Sequence, residues 1–165
     1  MGNLKRYNAQ SGTSIDHKPS APGGGMSYYQ TTLPASQSIP TSTWTTVSWD
    51  TPTYSDDFTP LLALATVRES GMYMVCASIN WSNSSASGRR AIAITDNVFT
   101  GGDGLINADL DASGIQINNA NNVCGCIYLP AGGYVAIQVW QNSGSDLNIL
   151  ADPARSYFQV ARVRS

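Results

Sequence analysis

The sequence predicts an all-β sandwich. Residues 71 to 81, GMYMVCASINW, alternate at the two-residue period of a strand. Tyr73, Val75, Ala77, Ile79 and Trp81 fall on one face, continuously apolar and fit to line a core, while Met72, Met74, Cys76, Ser78 and Asn80 fall on the other. Helix formers are scarce: Lys occurs only at Lys5 and Lys18, Glu only at Glu69, and no window carries apolar residues at helical spacing for three turns. The remaining apolar runs are short and separated by polar turns at regular spacing, which is the pattern of a sandwich.

The elements follow in order. WTTVSW, residues 44 to 49, is β-branched and aromatic and is closed by Asp50-Thr51-Pro52, so it reads as a strand. YSDDFTP, 54 to 60, reads as a loop leading into a strand over 61 to 68, LLALATVR, stopped by Glu69-Ser70-Gly71. After the central strand, NSSASG is a loop and RRAIAIT, 89 to 95, the returning half of a hairpin. Residues 96 to 122 are rich in Gly, Asn and Asp and predict long connections with one strand near Ile115 to Ile117. VCGCIYL and YVAIQVWQ flank Pro130-Ala131-Gly132-Gly133 as a second predicted hairpin, and YFQVARV, 157 to 163, ends the sheet.

The chain divides at residue 35. Residues 1 to 35 carry Pro19, Pro22, Gly23-Gly24-Gly25 and Pro34 among Ser, Thr and Gln, with few aliphatic side chains, so they read as an extended arm and 36 to 165 as the domain. The arm is either a disordered tail or an anchor that orders on a partner. In the second reading Leu4, Tyr7, Ile15, Tyr28 and Tyr29 are its docking points, beside the basic Lys5 and Arg6. Lys5, Arg6 and Lys18 against Asp16 give residues 1 to 26 a charge of +2, which leaves −4 on the rest of a chain whose net charge is −2.

That balance argues against nucleic acid as a partner, which needs a basic patch. Only 12% of residues are charged, against roughly a quarter in ordinary soluble domains, while Ser, Thr, Asn and Gly are abundant, the composition of a β-rich extracellular or virion surface. No run approaches the roughly 20 apolar residues of a membrane span, and MGNLKRYNAQ has no signal-peptide core, so membrane insertion and export by that route are not expected.

No catalytic constellation stands out: the single histidine, His17, lies in the arm, and there is no nucleophile elbow, phosphate-cradling glycine loop or zinc-binding helix motif. The expectation is a non-enzyme without cofactor or metal. Asp103, Asp109 and Asp111 with Asn107 offer oxygen ligands but lack the calcium-loop spacing, and read as a solvated loop. Cys76, Cys124 and Cys126 cannot make a complete disulfide framework and read as buried thiols, although Cys76 could meet either of the others across a sheet. Arg89-Arg90 could hold a sulfated or phosphorylated group, yet such pairs more often meet local carboxylates or solvent.

Taken in order, WTTVSWD, an Asp- and Tyr-bearing loop, GMYMVCASINW, GRRAIAITDN, VCGCIYLPAGGYVAIQVWQ and YFQVARV resemble the jelly rolls of the complement globular-head and tumour-necrosis-factor type, over roughly residues 38 to 165. Gly133 departs from that pattern, in which many relatives carry Asp after Ala-Gly. WTTV, GMY, GRR and PAGGY are also similar to domains of tailed-bacteriophage structural proteins. The resemblance implies an antiparallel jelly-roll sandwich that forms a homotrimer, with Tyr73, Tyr128, Tyr134 and Trp140 as candidates for its interface. It further implies a capsid-decoration protein on the virion surface, assembled in the host cytoplasm and fixed by the arm to the major capsid protein or another virion protein. The alternative is a receptor-binding or tail-tip module whose end loops, with Tyr54, Asp56, Phe58, Asn142 and Asn148, engage a host-surface glycan or protein.

Overall fold

The computed structural model describes residues 27–54, 57–61, 63–82, 88–96, 106–112 and 119–163. Among them there are thirteen strands, all paired antiparallel, and no helix. They are β1 (Tyr28–Thr32), β2 (Gln37–Ile39), β3 (Thr45–Thr46), β4 (Thr53–Tyr54), β5 (Phe58–Pro60), β6 (Leu64–Val67), β7 (Gly71–Trp81), β8 (Gly88–Asp96), β9 (Ile106–Ala112), β10 (Asn119–Leu129), β11 (Tyr134–Gln141), β12 (Leu147–Ile149) and β13 (Tyr157–Val163). Seven form one sheet in the order β2-β12-β7-β13-β1-β4, with β10 on the other edge of β7. Six form the second, β5-β6-β11-β8-β9, with β3 also on β11.

The apolar face read in β7 is buried along its length, while the other face is exposed or half-buried at Met72, Met74 and Cys76 and buried at Ser78 and Asn80. Tyr73, Val75, Ala77, Ile79 and Trp81 are buried between the sheets. They meet Ile92 and Ile94 of β8 and Val135, Ile137 and Val139 of β11 in one core. Its densest part is aromatic: Tyr29 lies 5.9 Å from Phe58 and 5.4 Å from Phe158, Phe58 lies 5.9 Å from Tyr73, and Phe158 lies 5.8 Å from Trp49. Such tilted pairs add to the area they bury.

Several expectations change. Residues 28–32 are not arm: β1 pairs with β13 from Tyr28↔Ala161 to Thr32↔Tyr157, and Tyr29 is 1% exposed. Of the two tyrosines that suggested docking points there, Tyr29 is buried in the core and Tyr28 stands 40% exposed on the outer face of β1, so the domain begins before residue 35. Leu4, Lys5, Arg6, Tyr7 and Ile15 lie outside the described residues. The WTTVSW strand shrinks to β3 because Val47 and Trp49 turn into the core. The loop expected before β6 holds β4 and β5.

Neither predicted hairpin forms. Both edges of β7 are taken, by β10 on one side and by β13 and β12 on the other, so β8 crosses to the second sheet and pairs with β11 and β9. The PAGG turn likewise passes from one sheet to the other. It closes through Gly133 N–H to Pro130 O at 2.9 Å, with Gly132 at a φ of 79°, and Gly132 donates to Val67 O at 2.8 Å. The segment around Ile115–Ile117 lies outside the described residues.

Burial pushes the Tyr29 phenol up to about 12, and its hydroxyl donates to Leu61 O at 3.2 Å. Below about pH 10 the phenol is protonated folded or unfolded; above it the unfolded chain releases the proton while the fold retains it, so stability falls as pH rises from about 10 to 12. Denaturant titrations at pH 8 and 11 should show a loss of about 1.4 kcal/mol from this group. Tyr29→Phe should show a correspondingly smaller alkaline loss.

Candidate functional site

Among the described residues, no layer covers the outward face of the seven-stranded sheet over β1, β13, β10 and the first half of β7, and register explains its chemistry. Antiparallel pairing sets the outward residues of β1, β13, β7 and β10 in rows across the strands. One row is Val163, Met72 and Tyr128; the next is Tyr28, Ala161, Met74 and Cys126; the third is Gln30, Gln159, Cys76 and Cys124. Tyr128 is 62% exposed, Val163 48%, Met74 45%, Met72 42% and Tyr28 40%, so most of the exposed large apolar side chains stand on this one surface. A shallow depression of about 260 Å³ opens between Tyr28, Met74, Cys76 and Gln159.

The face changes character toward the C-terminal end of β7. Ser78 donates to Arg155 O at 2.7 Å, Ser156 accepts from Asn80 N–H at 3.1 Å, and Ser156 and Asn80 are both buried. The β12–β13 connection therefore covers that end. At the opposite end Arg162 bonds Glu69 and donates to Ser70 O at 3.0 Å, while the Tyr73 hydroxyl donates to Glu69 O at 2.7 Å. The hydrogen bond to Glu69 holds the Arg162 guanidinium above its ordinary pKa. Burial raises the Tyr73 phenol above its own.

Cys76 and Cys124 are directly opposed in register and form a disulfide, with Cα atoms 4.1 Å apart and 48 residues between them in sequence. Cys126 is free and exposed. The expectation of three buried thiols thus fails, because Cys124 and Cys126 alternate outward with Val123 and Ile127 inward. Closing a loop of that length restrains the unfolded chain, and removing a native bridge typically costs about 2–5 kcal/mol. Cys76→Ser with Cys124→Ser should lower the thermal midpoint by about 10 °C in a scanning experiment, and a reductant should do the same to the unaltered protein.

The sequence candidates are scattered. Tyr73 is fully buried in the protomer and cannot meet a second copy. Tyr128 stands on the exposed face, but Tyr134 and Trp140 alternate with Val135, Ile137 and Val139 and so lie on the outside of the other sheet, where Trp140 stacks at 6.5 Å on Trp44. Among the loop candidates, Phe58 is fully buried in the aromatic cluster. Tyr54 is exposed on β4 and Asn148 on β12, at opposite ends of the strand order. Asn142 is exposed, and its Oδ1 accepts from Arg89 N–H at 2.6 Å to hold the loop against Gly88. Asp56 lies outside the described residues, as do the side chains of Asn107, Asp109 and Asp111 and all of Asp103. Among the described residues no group of three metal-ligating side chains occurs. The rows of Met, Cys and Tyr were missed, although every second residue of GMYMVC and VCGCIY already marks them.

Solved structures share this architecture. Murine APRIL superposes with a TM-score of 0.61 at 11% identity, covering 84% of this chain and 100% of that one. The fold is a tumour-necrosis-factor-like jelly roll. Eiger TNF from S. frugiperda agrees, with a TM-score of 0.60 at 14% identity over 85% of this chain and 94% of that one. No family model matches the sequence, and no curated protein matches it. At these identities the likeness establishes the jelly roll and leaves activity to be argued from the surface.

Proposed function

We propose that this chain is a structural subunit of a bacteriophage virion, a homotrimeric jelly-roll knob that decorates the capsid and is attached to it by its N-terminal arm. One observation carries the assembly: the uncovered Met72, Met74, Tyr28, Tyr128 and Val163 surface, on a protomer whose core is otherwise closed. Contiguous apolar faces of this kind mark interfaces, and closed symmetry lets each copy bury the same patch. The capsid location draws support from composition. Residues 1 to 26 carry +2 and few aliphatic groups, with Leu4, Lys5, Arg6, Tyr7 and Ile15 available to a partner, while the remainder is charge-poor and acidic. The Cys76–Cys124 bridge persists in oxidising surroundings, which fits a particle outside a cell after assembly inside one.

The test is co-sedimentation with undecorated particles. Full-length protein should bind, and protein lacking residues 1 to 26 should remain an assembled trimer but fail to bind. Full-affinity binding by the truncated form would refute the anchoring role. Blocking of phage adsorption by the purified protein would instead favour a receptor-binding module that engages a host-surface glycan or protein.

A further inference from the structure

Arg90 is fully buried, and among the described residues its guanidinium has no hydrogen-bond partner. It alternates with the core residues Ile92 and Ile94 on β8, is 1% exposed, and stands in register with Gln141 of β11. None of its three guanidinium nitrogens has a hydrogen-bond partner. Arginine cannot escape by losing its proton, and a buried charge without a partner is strongly unfavourable.

The polar side chains that reach this end of the sandwich are already committed elsewhere. Asn121 donates to the Arg90 carbonyl at 2.8 Å and accepts from the Trp81 indole at 3.1 Å. The Gln141 amide donates to Ile39 O at 3.0 Å and Ser145 O at 2.9 Å, and its Oε1 accepts from Ser143 N–H at 2.7 Å and Oγ at 2.6 Å. Turning Asn121 toward the guanidinium would break two bonds, and turning Gln141 would break four, to make one. The network thus satisfies the Arg90 carbonyl and, among the described residues, leaves the guanidinium without a partner.

We propose that Arg90 is the centre of a buried oxyanion site, occupied by a small carboxylate or phosphate-class anion held through the paired N–H groups of its guanidinium. A planar fork of donors matches two oxygens of such an anion and gives a stronger bond than a neutral acceptor would. The site lies inside the protomer beside Trp81, at the opposite end of β7 from Met72, so it is independent of how copies assemble. It gives the Arg89-Arg90 pair two different roles, since Arg89 is exposed.

Thermal unfolding of the full chain, dialysed free of oxyanions and held at constant ionic strength with chloride, provides the test. Titrated inorganic phosphate should raise the midpoint saturably, by about 5–10 °C at a concentration ~100 times its dissociation constant. Acetate in a parallel titration separates the sources: a saturable rise with acetate as well identifies a carboxylate site, and a rise with phosphate alone a phosphate site. Arg90→Met should abolish the saturable rise and be at least as stable as the unaltered protein in chloride alone, because it removes the unpaired charge. A rise that is linear and equal in both proteins is general exclusion of the salt from the surface and overturns the site. So does marked destabilisation of Arg90→Met without oxyanion, which would mean that a carboxylate of this chain already pairs with it. Should Arg90→Met fail to fold, calorimetric titrations of the unaltered protein with phosphate and with acetate decide, and absence of a saturable heat from both overturns the site.

Discussion

Replacing Met74 with aspartate is expected to convert the assembled protein into a folded monomer. Met74 sits in the row Tyr28, Ala161, Met74, Cys126, at the middle of the uncovered face, and is 45% exposed in the protomer, so a carboxylate there stays hydrated while the chain is alone. In an assembly each copy would bury it against an apolar surface without a partner, a cost of several kcal/mol per subunit that outweighs what the methionine contributes. Dissociation constants should rise by about three orders of magnitude or more, since about 4 kcal/mol per contact corresponds to that factor. Sedimentation or native mass measurement should show three copies before the substitution and one after it, with the far-ultraviolet spectrum unchanged. Cys126, across the strand pair from Met74, supplies a second readout: its thiol should react slowly with a maleimide in the trimer and quickly in the monomer. A trimer that survives Met74→Asp would place the interface on another surface and leave the apolar rows unexplained.

The alternation of β7 was legible because both its faces are long and chemically distinct, and β13 was legible for the same reason. Partners were not. Period two tells which face a residue takes and says nothing of which strand lies beside it, so two chain-adjacent pairs that looked like hairpins, β7–β8 and β10–β11, proved to be crossings between sheets. Tyr73 was a candidate for the trimer interface although it shares the core face of β7, and Phe58 was a candidate for a ligand-binding end loop. They fit because Tyr29, Trp49, Phe58, Tyr73 and Phe158 come from five separate segments and pack against one another, a convergence no local pattern announces. The candidate site was half visible. Met72, Met74, Cys124, Cys126 and Tyr128 alternate outward in plain sequence, but their alignment into rows with Tyr28 and Val163 depends on long-range register.

The aromatic convergence also fixes where the domain starts, and truncation should reveal it sharply. Deleting residues 1 to 26 leaves every described strand in the chain, whereas deleting residues 1 to 35 removes β1, which bonds β13 along five register pairs and joins β4 to the sheet. The longer deletion exposes the edge of β13 and empties the place of Tyr29 between Phe58 and Phe158. Truncating one such ring to alanine in a closed core costs about 3–5 kcal/mol, comparable to the whole stability of many domains. Tyr29→Ala alone should therefore lower the unfolding free energy by that amount, and loss of the entire strand should leave an insoluble or unfolded chain. Expression of the two truncations side by side, with thermal unfolding of whichever is soluble, checks this. A stable, cooperatively folding fragment of residues 36–165 would show that β1 is dispensable and that the boundary belongs at residue 35.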